Sequence, residues 1–276
     1  MTALRERVAR PHLPRPARPR VFAVANQKGG VGKTTTAVNV AAAWAFDGLR
    51  ALVVDLDPQG NASTALGVNR SVDLPSTYDV IVRGTPLADV VRPVPGIPGL
   101  FCAPATLDLA GAEIELVPLE QRERRLRNAL AAYADGGSTH DYVLLDCPPS
   151  LGLLTVNALT AADEVLLPIQ SEYYALEGVT ALAETVERVR RALNPGLTVS
   201  TVLLTMYDAR TRLAEQVAAE IRRHFGDRVL RTVVGRSVRI AEAPSYGQTV
   251  LTYDPGSRGA QAYMDAAREI ALRSRA

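Results

Sequence analysis

The chain has 276 residues, 47% of them hydrophobic and 22% charged, with a mean hydropathy near zero. That is the profile of a soluble globular protein; no apolar run approaches the roughly 18 residues of a membrane span, and the N-terminus lacks the apolar core of a secretory leader. Two well-separated cysteines, Cys102 and Cys147, argue against a disulfide framework and for a reducing cytoplasm, and His12, His140 and His224 lack the spacing of a transition-metal site.

The charge is uneven along the chain. Residues 1–20 carry six Arg and one Glu, a local +5, which leaves the remainder near −3. Any contact with nucleic acid must therefore use a local patch. The first twenty residues, rich in Pro and Arg with no apolar period, are expected to form a disordered arm. From 21 to 276 the pattern predicts a single domain. VFAVAN reads as a short buried strand, and TTAVNVAAAWAFDG as a helix ending at Gly48. RALVVDLD is a second strand. Further strands are expected at 100–105, 141–149, 164–169, 198–206 and 228–234, and helices at about 118–134, 151–162, 175–193, 211–225 and 257–274. Residues 66–99, broken by Pro and Gly, have no clear period. β-Branched strands alternating with amphipathic helices predict an α/β fold: a doubly wound, mostly parallel sheet with helices on both faces.

The chain has only two lysines, Lys28 and Lys33, five residues apart in NQKGGVGKTTT; the other 29 basic residues are Arg. A strand, a glycine-rich loop and a helix form the context of a phosphate-binding loop. Backbone N–H groups of Gly29, Gly30, Val31 and Gly32, continuing into Thr34 and Thr35, can wrap phosphate oxygens at a helix N-terminus. Lys33 would place a compact charge on the β- and γ-phosphates, where a broad guanidinium fork fits less well. The Thr34 hydroxyl suits Mg²⁺. Asp55 and Asp57 end the second strand in VVDLDPQGN, and Asp146 ends another in DYVLLDCPPS. Carboxyl ends of parallel strands are where α/β sheets bind ligands, and a carboxylate there can hold Mg²⁺ through water.

The ordinary pattern G-x-x-x-x-G-K-[ST] requires glycine at 27, where this chain has Gln27. KGGVGKT instead resembles the deviant Walker A loop of the ParA/Soj family, within the MinD/ParA group of ATPases. The segments ATLDLAGAEIELV, DCPPSLGLLTVNALTAADEVLLPIQSEYYALEG, LLTMYDART and VRIAEAPSYGQTVLTYDP extend that resemblance over nearly the whole chain after residue 20. The resemblance implies ATP and Mg²⁺ as cofactors and hydrolysis that is slow until a partner stimulates it. Lys28 would reach the partner subunit's phosphates in an ATP-sandwich homodimer, much as an arginine finger does. It implies that Asp57 acts on the attacking water, that Asp55 and Asp146 belong to the Mg²⁺ shell, and that adenine lies near Met206 and the Glu242–Pro244 loop. It further implies non-specific duplex DNA and a ParB-type centromere-binding protein as partners, on the nucleoid of the cytoplasm. Arg210 and Arg239 match the family's DNA-binding positions, with Arg212 and Arg236 as neighbours.

Other readings remain open at this level. A MinD-type membrane-positioning ATPase would need an amphipathic C-terminal anchor. The stripe of Tyr263, Met264, Ala267, Ile270, Ala271 and Leu272 reads more simply as a helix packed on the core. The same switch could position another cargo on the nucleoid. A metabolic P-loop enzyme would not need Lys28. The arginine-dense run QRERRLRN, 121–128, reads as a solvated helix face.

Overall fold

The computed structural model describes residues 12–71, 73–172 and 177–273. Its first half contains β1 (Arg20–Val24), α1 (Lys33–Phe46), β2 (Ala51–Asp55), α2 (Asn61–Ala65), α3 (Leu87–Val90), β3 (Arg92–Pro93), β4 (Leu100–Ala103), α4 (Ala112–Glu115) and α5 (Arg125–Asp135). Then follow β5 (Tyr142–Asp146), α6 (Leu153–Ala161), β6 (Glu164–Gln170), α7 (Glu177–Ala192), β7 (Thr198–Tyr207), α8 (Arg212–Phe225), β8 (Val229–Gly235), α9 (Val238–Glu242), α10 (Val250–Tyr253) and α11 (Arg258–Leu272). The strands pair in the order β3-β4-β2-β5-β1-β6-β7-β8. Each pairing is parallel except that of β3 with β4.

The pleat divides the core. Phe22, Val24, Val53, Leu144, Leu166 and Leu203 face one layer, built from α1, α2, α10 and α11. Their alternates Ala23, Leu52, Val54, Leu145, Val165 and Leu204 face the layer of α3 to α8. A parallel strand covered on both sides must be apolar at every position, which is why β2 and β5 read as unbroken hydrophobic runs. The first layer centres on Trp44, stacked on Tyr142 at 3.9 Å. The Trp44 indole N–H donates to the Ala267 carbonyl at 2.9 Å, tying α1 to α11. The last helix buries Tyr263, Ala266, Ala267 and Ile270 against this core, as the apolar stripe predicts, while Leu272 is exposed. Among the described residues no helix is long and apolar enough to cross a membrane.

Three expectations change in detail. Residues 1–11 of the expected arm lie outside the described residues; of the rest, Leu13 is buried in the α1 layer and Arg20 belongs to β1. Arg20 is buried because it is paired. Its guanidinium grips Glu164 with two hydrogen bonds of 2.8 and 2.9 Å, donates to the Ile270 carbonyl at 3.0 Å and covers the Phe22 ring at 4.8 Å. The helix expected from 118 begins at Arg125, after a run of turns in which Gln121 takes φ 50°. In consequence QRERRLRN is not one solvated face. The Arg125 guanidinium donates to the Ile81 and Val82 carbonyls, closing the C-terminal end of the helical turn Asp79–Arg83, where a cation complements free carbonyls.

Candidate functional site

Sheet register assembles the site. β1 lies between β5 and β6, with Val24 in register with Asp146, and Asp146 is in turn in register with Asp55 of β2. Thus the phosphate loop and both strand-end carboxylates leave the sheet side by side, where three parallel strands end together. The loop is braced from below. Asn26 donates to the Pro168 carbonyl at 2.8 Å and accepts the Lys28 N–H at 3.0 Å. The Thr205 hydroxyl donates to the Val31 carbonyl at 2.8 Å. Gly30 and Gly32 take φ 74° and 88°, left-handed geometry that a side chain would strain. Gly32 accepts the Thr36 N–H at 2.8 Å to open α1.

Lys33 is buried, and its ammonium donates to the Lys28 carbonyl at 3.3 Å. Burial pulls its pKa down, while the nearby charges of Asp146 and Asp57 oppose that shift. Asp146 is fully buried, and neither of its carboxylate oxygens makes a well-formed hydrogen bond among the described residues. Burial and the neighbouring Asp55 push its pKa well up, and the Thr34 hydroxyl and the Lys33 ammonium oppose them. An orphaned buried carboxylate beside a threonine hydroxyl and a buried ammonium suits a hydrated divalent cation and the phosphates it would carry. These residues fit Mg²⁺-nucleotide.

Asp55 differs from its neighbour. Its Oδ2 accepts the Ser63 N–H at 2.8 Å and the Ser63 hydroxyl at 2.6 Å, and its Oδ1 accepts the Asp57 N–H at 3.2 Å. Both oxygens are engaged in shaping the loop, so the Mg²⁺ role expected of Asp55 meets competition that Asp146 does not face. Burial raises its pKa to about 6. Asp57 is nearly buried and accepts the Gln59 N–H at 3.0 Å.

Beside the loop lies a cavity of about 500 Å³ whose lining includes Thr35, Met206, Pro244, Val234, Ile240 and Arg236. Its apolar walls and size suit a flat heterocycle, and they include Met206 and, from the Glu242–Pro244 loop expected beside adenine, Pro244. Met206 takes φ 50° in the last residues of β7, at the cavity wall.

Lys28 is half-exposed and meets Glu172 at 3.4 Å. Glu172 also accepts from Arg236 at 3.2 Å and from the Gln170 amide. Glu172 was not among the sequence candidates, although it follows the carboxyl end of β6; strand-end position alone could have found it. Arg210 and Arg236 both bear on Asp208. Arg210 grips it with bonds of 2.9 and 2.8 Å, and these bonds hold the Asp208 carboxyl down to about 2. Arg239 reaches Glu242 at 3.2 Å and Asp254 at 3.4 Å, and Arg212 is exposed at the start of α8. All four expected arginines are solvent-facing. Three are engaged by carboxylates that a phosphate would have to displace. Cys102 and Cys147 are buried free thiols, and burial pushes the Cys147 thiol up. No cluster of three metal-ligating side chains occurs among the described residues.

Comparison with known proteins places this geometry. A family model described as an AAA domain matches residues 19–199. The sporulation initiation inhibitor protein Soj of Bacillus subtilis is 50% identical over 91% of this chain and 98% of its own length. The chromosome partitioning protein ParA of Caulobacter vibrioides is 53% identical, covering 93% of this chain and 95% of its own. Among solved structures, cobyrinic acid a,c-diamide synthase from Mycobacterium smegmatis, with bound ADP and magnesium, superposes with a TM-score of 0.77 at 37% identity. That match covers 90% of this chain and 92% of the synthase. With half of its residues shared along nearly their full length with Soj and ParA, the chain belongs to the ParA/Soj family of chromosome-partitioning ATPases.

Proposed function

We propose that this protein is a DNA-partitioning ATPase that uses ATP and Mg²⁺. In this reading its ATP-bound form is a sandwich homodimer that holds duplex DNA without sequence preference. A ParB-type centromere-binding partner stimulates hydrolysis and so releases the DNA, and the protein works on the nucleoid. The observation that carries the reading is the contrast between two lysines on one loop. Lys33 is buried beside Asp146, while Lys28 stays half-exposed, held by one screened ion pair and free to turn to a phosphate on a second copy.

The roles follow from position. Backbone N–H groups of residues 29–35 and the Lys33 ammonium would bind the phosphates. Thr34 and Asp146 would hold Mg²⁺, which when bound neutralises charge on the β- and γ-phosphates. Asp55 would act one step back, holding the loop that presents Asp57 to the attacking water. Met206 and Pro244 would flank the base. Arg210, Arg212, Arg236 and Arg239 would meet DNA phosphates. Dimer formation then depends on the γ-phosphate, and its loss returns the monomer.

The test is binding to random-sequence duplex DNA across a salt series with ATP, ADP or no nucleotide, using Asp57→Ala to hold the ATP state. Binding that requires ATP and weakens steeply with salt is the expected result. Equal binding in every state would assign DNA affinity to the basic N-terminal residues. No binding in any state would refute the DNA reading, and vesicle sedimentation would then test a membrane surface.

A further inference from the structure

The loop that carries Asp57 is held from outside by a residue with no role so far. Arg70 folds back over Gly60, the glycine of the 57–60 turn. Gly60 takes φ 61°, and a methyl group built there would overlap the Arg70 guanidinium. The Gly60 N–H donates to the Asp57 carbonyl at 2.8 Å, so displacing Gly60 displaces the Asp57 backbone. The fork is fixed at two further points. Arg70 Nε donates to the Ala105 carbonyl at 2.9 Å, and its Nη1 donates to the Thr64 hydroxyl at 3.1 Å. Thr64 in turn donates that hydroxyl to the Gly60 carbonyl at 3.0 Å. Ala105 closes the circuit, because its N–H donates to the Ser63 hydroxyl at 3.1 Å. That same hydroxyl donates to Asp55.

The arrangement is a plate on one side and a peg on the other. Asp55 and Ser63 hold the loop from the buried side, and the planar guanidinium lies across its outer side where Gly60 has no side chain. Only glycine leaves room for the plate, and only a planar fork reaches Ala105 and Thr64 while lying flat. A cation at the start of α2 opposes the helix dipole. Its placement there needs a return, and these contacts supply it.

We infer that Arg70 is a positioning residue for ATP hydrolysis: it clamps the 57–60 turn so that Asp57 addresses the attacking water. This rests on the role proposed for Asp57. Misplacing a reacting group by about 1 Å can cost on the order of 100-fold in rate. The clamp acts on the chemical step and not on the phosphate loop, so the loss falls on kcat.

The experiment measures steady-state ATP hydrolysis for the wild type, Arg70→Ala, Gly60→Ala, the double variant and Asp57→Ala, with melting midpoints for each. Arg70→Ala is expected to lower kcat by about 10-fold or more with KM for ATP within about two-fold. Guanidinium ion at low millimolar concentration should restore part of the Arg70→Ala rate and leave Asp57→Ala unchanged, a response that a merely structural role would not give. Gly60→Ala pushes the guanidinium off the turn, so the double variant should be at most about two-fold slower than the slower single one. Should Arg70→Ala fold poorly, Thr64→Val removes one anchor only and is expected to lower kcat by about three-fold with KM unchanged. Wild-type kcat in Arg70→Ala beside an inactive Asp57→Ala would overturn the clamp and leave the proposed function standing. Wild-type kcat in Asp57→Ala would overturn both.

Discussion

Glu172→Gln tests how firmly Lys28 is held before the proposed second subunit arrives. The Lys28–Glu172 pair is 3.4 Å apart, with side chains 36% and 44% exposed. At an effective dielectric of about 20 the bare attraction is about 5 kcal/mol. Solvent competition and the entropy of two long side chains reduce exposed pairs to about 0.2–1 kcal/mol net. Turning Lys28 away from Glu172 should therefore cost less than about 1 kcal/mol, well within reach of a charge-assisted contact to phosphate. In an Asp57→Ala background, expected to hold ATP, Glu172→Gln should tighten the proposed ATP dimer by about two- to five-fold by analytical ultracentrifugation. The gain should shrink as salt rises from about 30 to about 300 mM, because the Debye length contracts over that range. Two results would refute the reasoning. A dimer weakened more than about 10-fold would mean that Glu172 serves the dimer itself. A gain above about 30-fold that ignores salt would mean the pair is not a screened surface contact.

Further outcomes follow from the same geometry. Lys33→Ala should abolish ATP binding by calorimetry while the fold persists, because in the proposed role the buried ammonium serves the phosphates, and within the described residues its hydrogen bond goes to the Lys28 carbonyl of the same loop. Arg210→Glu with Arg239→Glu should abolish DNA retention in the ATP state without changing the dimer, and each lost phosphate contact should lower the slope of log affinity against log salt by about 0.9. His140, buried between Phe101 and Tyr133, has its pKa lowered to about 4 by burial, aided by Arg50 and opposed by Asp141. The unfolded chain then takes up a proton near pH 6.5 that the folded chain refuses until about pH 4. Stability from this site is intact above pH 7 and falls as pH drops through that window. Between pH 7 and 5 the wild type should lose about 1–2 kcal/mol more than His140→Phe in urea titrations; parallel pH profiles would show that the imidazole is not the cause.

Much of the site was legible because its signals are local. KGGVGKT carries its own chemistry: glycines at positive φ, a lysine and a threonine at the head of a helix. Asp55 and Asp146 stand where apolar runs stop, and the carboxyl end of a parallel strand is where such sheets bind ligands. The alternation of strand and helix likewise determined a parallel sheet covered on both faces, since nothing else buries strands that are apolar at every position.

What the tertiary structure decided depends on contacts between distant segments. That Asp55 is saturated while Asp146 is orphaned hangs on Ser63 approaching one carboxylate and not the other. That Arg125 closes a helical turn instead of facing water needed the segment 79–83 to arrive beside α5. Arg20 looked like the end of a basic arm until β6 brought Glu164 and α11 brought the Ile270 carbonyl to its guanidinium. Arg70 over Gly60 and Glu172 between Lys28 and Arg236 belong to the same class. A sequence reports what a residue can bond, and periodicity reports which face it lies on. Which of several arginines meets which carboxylate is settled only when the sheet order sets the distances.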